Sequence, residues 1–222
     1  MPHAIGFDIY GTLVDPLEMN EHLRPLVGED LADRMSELWR AKQVEYTFRR
    51  ALMRRYEDFG VCTKQALVYT SHVLGVEFSE EEQEKLIEEY QNLRSFSDVI
   101  SGLEAMRSKG HTLVAFSNGV EATARTLLER AGVLPYLEGV ISVDDLKTFK
   151  PDPQVYLYLA GRLQRMPEET WLVSSNPFDV IGAKAAGLRA AWIQRTPDAQ
   201  FDPWDIEPDL VAPDLEALAG KL

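Results

Sequence analysis

Five short apolar runs alternate with helical stretches over most of the chain, and this alternation constrains the fold more than any other feature. The runs cover 4–7, 112–116, 138–143, 171–173 and 189–193. Runs this short, bounded by polar turn residues, read as buried parallel strands. The pattern predicts helices over 98–109, 120–131, 152–165 and 177–187. Gly110, Gly132 and Gly187 stand where those helices should stop, the usual place of a left-handed C-terminal glycine. Strand and helix in alternation imply an α/β protein with a parallel sheet and right-handed crossovers.

Residues 17–95 behave differently. They carry almost no strand signal and several amphipathic helices, most clearly 30–58, 63–74 and 79–94. A long helical segment after the first strand reads as an insertion packed over one end of the sheet. The expected division is a core of 1–14 and 96–222 with a helical cap insertion of 15–95. A length of 222 residues suits such a core with a smaller insertion, at about 150 residues per domain. The Pro- and Asp-rich tail from 197 to 213 is predicted to wrap the surface and add a short strand near 209–211.

Charge narrows the partners. With 23 lysines and arginines against 36 aspartates and glutamates, the net charge of −13 repels phosphate backbones and anionic lipid. Neither a nucleic-acid nor a membrane role is expected. One cysteine, Cys62, excludes an internal disulfide and a Cys-rich metal site. No leader and no apolar run near about 18 residues is visible, so the chain reads as soluble and cytoplasmic.

Open α/β sheets bind ligands outside the carboxyl ends of their strands. Asp8, Ser117, Lys150 and the stretch Ser174 to Asp179 all fall just after apolar runs or at the entry to the next helix. An aspartate there can cap a turn through backbone N–H groups, or attack an electrophilic carbon or phosphorus to form an ester. Asp8 alone does not separate the two. His3, His22, His72 and His111 fit no catalytic spacing.

Phe7-Asp8-Ile9-Tyr10-Gly11-Thr12-Leu13 resembles the nucleophile motif of the haloacid dehalogenase superfamily. Ser117-Asn118-Gly119 resembles the second motif, Lys150-Pro151-Asp152 the third, and Ser174-Ser175-Asn176-Pro177-Phe178-Asp179 the fourth. The ordered set covers nearly the whole chain and implies a Rossmann-like core with a helical cap. Phosphatases of this superfamily carry an acidic residue where Tyr10 stands, to protonate a departing alkoxide. A halide leaves without a proton, so the lost acid suits halide expulsion. Ser175 likewise replaces a carboxylate that would hold Mg²⁺, which weakens such a site. These departures, with Leu38-Trp39-Arg40, Lys42-Gln43, Glu45-Tyr46-Thr47 and Val155-Tyr156, resemble the L-2-haloacid dehalogenase branch.

That resemblance implies a hydrolase of carbon–halide bonds needing neither metal nor organic cofactor, with a 2-haloacid and a halide ion as its small partners. Asp8 would displace halide from C2 with inversion, and water would then release a D-2-hydroxy acid from the ester. Thr12 would orient Asp8, and Lys150 would supply positive charge beside it. Lys150-Pro151-Asp152-Pro153 also reads as a helix entry capped by Asp152, and both readings can hold. Arg40 would hold the halide; otherwise it is a solvated cation on an amphipathic helix. Ser117 and the N–H of Asn118 would bind the substrate carboxylate. Asp179 would activate water or anchor Lys150, with Ser174, Asn176 and Tyr156 in support. Tyr10, Phe59 and Phe178 are candidates for the wall around the alkyl group, or simple packing. Ala41 and Phe178 depart from residues common in the branch, glutamine and tryptophan, which bears on pocket size. The branch is typically homodimeric, and Trp and Leu exposed on the cap would be compatible with that. A phosphatase of the same superfamily and a non-catalytic binding protein of the same fold are the rivals.

Overall fold

The apolar run at the N-terminus lies inside a six-stranded sheet of order β3-β2-β1-β4-β5-β6, every pairing parallel. The computed structural model describes residues 2–222. Its first strand is β1 (Ala4–Phe7), followed by four helices: α1 (Met19–Val27), α2 (Glu29–Met53), α3 (Phe59–Leu74) and α4 (Glu80–Glu89). Then come α5 (Val99–Ser108), β2 (Thr112–Ser117), α6 (Glu121–Arg130), β3 (Gly139–Ser142) and α7 (Pro153–Arg162). The chain ends with β4 (Thr170–Ser174), α8 (Pro177–Ala185), β5 (Arg189–Ile193), β6 (Leu210–Ala212) and α9 (Leu215–Ala219).

β1 pairs with β2 on one side and β4 on the other, so strand order reverses there and opens a crevice at the carboxyl ends. All four residues of β1 are buried, as a strand covered on both faces requires. Gly6 lets α7 lie directly on this strand, since a Cβ there would come within 2.7 Å of the Leu159 side chain. α7 begins where the sequence placed its cap: Asp152 accepts from the Gln154 N–H, with Pro153 in the first turn.

The helical segment differs from its sequence reading in its boundaries. The helix expected over 30–58 ends at Met53, because Arg54 takes a left-handed conformation with φ 54°. α3 begins at Phe59, four residues before the expected start at 63, because the Asp58 side chain accepts from the Val61 N–H. α4 stops at Glu89 instead of 94 after a capping box between Ser79 and Glu82. α1 precedes the three helices that the sequence marks most clearly in this segment, and contains Pro25. The expectation of an exposed Trp on this segment is corrected: Trp39 is fully buried, its indole N–H donating to the Thr63 carbonyl at 2.9 Å. No helix among the described residues is long and apolar enough to cross a membrane.

Candidate active site

Asp8 extends β1 by one residue, its N–H donating to the Val173 carbonyl at 2.9 Å. The chain then turns sharply, with the N–H groups of Thr12 and Leu13 both directed at the Ile9 carbonyl. Gly11 makes this turn at φ 89°, where a Cβ would also stand 3.0 Å from Ser175 Oγ. The turn returns Thr12 beneath Asp8, and its hydroxyl donates to Asp8 Oδ2 at 3.1 Å.

Four side chains hold the Asp8 carboxylate. Lys150 Nζ donates to Oδ1 at 2.9 Å, while Asn176 Nδ2, Thr12 and Ser174 Oγ reach Oδ2 at 2.8, 3.1 and 3.4 Å. The same ammonium donates to Asp179 Oδ2 and to the Phe116 carbonyl, each at 2.9 Å. Asp179 Oδ1 in turn accepts from the Tyr156 phenol at 2.8 Å. Lys150, Tyr156 and Asp179 are all buried. The main chain of Lys150 is fixed as well, its N–H donating to Asn118 Oδ1 at 3.0 Å.

This burial decides the protonation states. Desolvation opposes the charged form of Lys150, but Asp179 and Asp8 outweigh it and hold the ammonium above its ordinary pKa. For Asp179 burial dominates and raises the carboxyl; Lys150 pulls it down and Asp8 pushes it up again. Tyr156 is raised by burial and by Asp179, so it remains a phenol and a donor.

These residues do not fit a divalent ion. The ammonium of Lys150 already takes an oxygen of both carboxylates, and the Ser175 hydroxyl donates to the Gly11 carbonyl at 2.6 Å. Hard cations need free carboxylate oxygens in that place.

Arg40, on α2, reaches the same turn from the helical side. Its NH2 group donates to the Tyr10 carbonyl at 3.2 Å, and that oxygen also accepts from Asn176 Nδ2 at 3.1 Å. Arg40 is half-buried, with its guanidinium 5.8 Å from the centre of the Tyr10 ring. The ring itself meets Phe59 at 5.2 Å and Tyr90 at 5.6 Å between centroids. Burial raises the Tyr10 phenol far above its ordinary value, which makes it a poor proton donor. Tyr10, Phe59, Thr63, Tyr90 and Gly119 line a cavity of about 180 Å³. The second-motif loop closes one side, with Ser117 Oγ accepting from the Gly119 N–H at 2.9 Å. Phe178 lies apart from this wall, edge-on to Phe48 of α2 at 5.0 Å.

A family model for haloacid dehalogenase-like hydrolases matches residues 2–187. The chain belongs to the haloacid dehalogenase-like hydrolase family. It is 38% identical to haloacetate dehalogenase H-2 of Moraxella sp. (strain B), over 97% of this chain and 95% of that protein. It is 36% identical to (S)-2-haloacid dehalogenase 1 of Pseudomonas sp. (strain CBS-3), over 86% of this chain and 84% of that protein. It superposes on the L-2-haloacid dehalogenase of Xanthobacter autotrophicus with chloropropionic acid covalently bound. The TM-score is 0.92 at 30% identity, covering 99% of this chain and 98% of that one.

Several residues that shape the site of this haloacid dehalogenase-like hydrolase have no role assigned from the sequence, Gln43 among them although it lies in the stretch that carries the resemblance. Gln43 accepts from Arg40 NH1 at 2.7 Å, Ser142 Oγ donates to the Gly119 carbonyl at 2.7 Å, and Trp192 Nε1 donates to the Ser175 carbonyl at 3.0 Å. Gln43 alone left a signal. Trp39, Gln43 and Thr47 recur every fourth residue and are all buried, so one inward stripe of α2 is mixed apolar and polar.

Proposed function

We propose that this hydrolase converts short L-2-haloalkanoic acids to D-2-hydroxy acids through an ester on Asp8. The observation that carries the reading is the ammonium of Lys150, 2.9 Å from both Asp8 Oδ1 and Asp179 Oδ2. It aims Asp8 and sets a fixed positive charge beside it without a divalent ion. An Asp8 oxygen attacks C2 from the side opposite the halogen, the carbon–halogen bond breaks, and the halide departs with its electron pair. One displacement inverts the centre. Water then attacks the Asp8 carbonyl carbon and its proton passes to Asp179; as the acyl–oxygen bond breaks, Asp179 returns that proton to the departing hydroxyl oxygen, and Asp8 loses the water's second proton to solvent.

Arg40 holds the halide from the helical side, its charge permanent even where partly desolvated. Ser117 and the N–H of Asn118 receive the substrate carboxylate, and Tyr10 and Phe59 border the alkyl group. Residues 15–95 act as a cap over a core of 1–14 and 96–222. A phosphatase reading is disfavoured by Tyr10, which is too weak an acid to protonate an alkoxide. The reading is of a cytoplasmic homodimer: Cys62 is a free, buried thiol, and Leu52, Met53 and Val73 leave α2 and α3 with exposed apolar side chains.

The test is one turnover in heavy-oxygen water with L-2-chloropropionate and EDTA present. Halide should be released at an unchanged rate and the label should sit on Asp8. Label found only in the hydroxy acid would mean direct attack by water and would end the ester mechanism.

A further inference from the structure

Gln43 is an uncharged side chain, fully buried beside a guanidinium. We propose that Gln43 is a positioning residue that fixes the Arg40 fork for the departing halide, and that Thr63 sets which way its amide faces. The inference rests on Arg40 as the halide holder.

Hydrogen-bond accounting gives the direction. A threonine hydroxyl has one hydrogen, and that of Thr63 goes to the Phe59 carbonyl at 2.7 Å. Only lone pairs remain on Thr63 Oγ1, so the Gln43 atom facing it at 2.6 Å is the amide nitrogen. The amide oxygen is thereby turned the other way, where it accepts from Arg40 NH1 at 2.7 Å and from the Tyr90 phenol at 3.0 Å. A flipped amide would set N–H groups against a guanidinium that has no acceptor. Arg40 is thus fixed at two points, Gln43 through NH1 and the Tyr10 carbonyl through NH2, which defines the plane of the fork. The relay also ties Arg40 to Phe59 and Tyr90, two walls of the cavity that Tyr10 and Gly119 border.

Leaving-group dependence tests the inference. Chloride is the poorer nucleofuge, so its expulsion depends more on well-placed donors than bromide's does. The measurement is single-turnover halide release from L-2-bromo- and L-2-chloropropionate. Gln43→Leu should raise the bromo-to-chloro rate ratio at least ~10-fold, the scale of one hydrogen bond to a charged group. Thr63→Val should move the ratio the same way, while Thr63→Ser, which keeps the hydroxyl, should hold the wild-type ratio. These two variants keep the inference exposed if Gln43→Leu does not fold. Arg40→Met is the control. If it raises the ratio and the Gln43 and Thr63→Val variants slow both substrates equally, Gln43 is merely structural and the inference falls. If Arg40→Met leaves the ratio unchanged, Arg40 does not hold the halide and the premise fails first.

Discussion

Gly182 is what allows the Tyr156 phenol to reach Asp179. A Cβ at Gly182 would stand 2.6 Å from the Tyr156 oxygen and 2.8 Å from Pro151 Cβ, closer than real atoms approach. The smallest residue of α8 thus leaves room for a hydrogen bond that orients the Lys150 partner. Gly182→Ala should push the phenol off Asp179 and strain the Lys150-Pro151 segment. We expect a loss of about 1–3 kcal/mol of stability from overpacking. In this buried site kcat should also fall by ~10-fold or more. Thermal melts and steady-state halide release on the same sample measure both.

Removing the proposed nucleophile separates folding from chemistry. Asp8→Asn keeps the size of the side chain, and Lys150 retains Asp179 and the Phe116 carbonyl. The variant should fold, yet lose at least ~10³-fold of its halide release, as knocking out a covalent nucleophile does elsewhere. Circular dichroism together with a halide assay decides this; a folded Asp8→Asn enzyme at near wild-type rate would exclude Asp8.

Lys150→Met has a different signature. It leaves Asp8 and Asp179 buried near each other without the cation between them, at a cost of about 3–5 kcal/mol in stability. Low pH should recover part of that loss, because protonating one carboxylate removes the repulsion. Denaturant titrations at neutral and acidic pH test the recovery.

The pH dependence follows from the directions of the two shifts. Lys150 is raised in the folded protein, so its stabilising contribution is complete below the ordinary lysine value of about 10.4 and declines as pH rises from there through the folded value. Asp179 is also raised, so above the ordinary aspartate value of about 3.9 its ionisation costs stability until the folded value is passed. On the proposed mechanism, activity needs Asp179 ionised and Lys150 charged. The profile of kcat/KM should therefore have an acid limb above the ordinary aspartate range and hold its activity past the ordinary lysine value. The Asp179→Asn variant should lack that acid limb.

Gly119 borders the cavity that the proposed reading assigns to the substrate. A Cβ there would lie 3.3 Å from Ser117 Oγ and 3.9 Å from both Phe59 Cδ1 and the Tyr10 phenol. Gly119→Ala should lower kcat/KM for 2-chlorobutyrate more than for chloroacetate, by about 10-fold, the value of a methylene in a tight pocket. An equal effect on both acids would exclude this wall from substrate selection.

The strand-end part of the site was the part most legible in the sequence. Asp8, Ser117 and Ser174 each close a short apolar run, and a parallel sheet brings such ends together whatever lies between them. The helical side was less legible. Periodicity defines a face of α2 but does not say what lies opposite, and Trp39 was expected at the surface because its partner, the Thr63 carbonyl, lies on another helix. The break between α2 and α3 was hidden because Arg54 turns left-handed without the glycine that usually marks such a stop. Gln43 lies in the stretch that carries the resemblance, yet its role is not legible there, because its partners Thr63 and Tyr90 lie far along the chain and meet it only in three dimensions.

Arg40 and Asn176 share one acceptor, and it belongs to the main chain of residue 10, not to its side chain. Point mutation cannot delete a backbone carbonyl. Exchanging the aromatic group at this position would therefore reshape the cavity wall, while the peptide oxygen behind it would still accept from both donors.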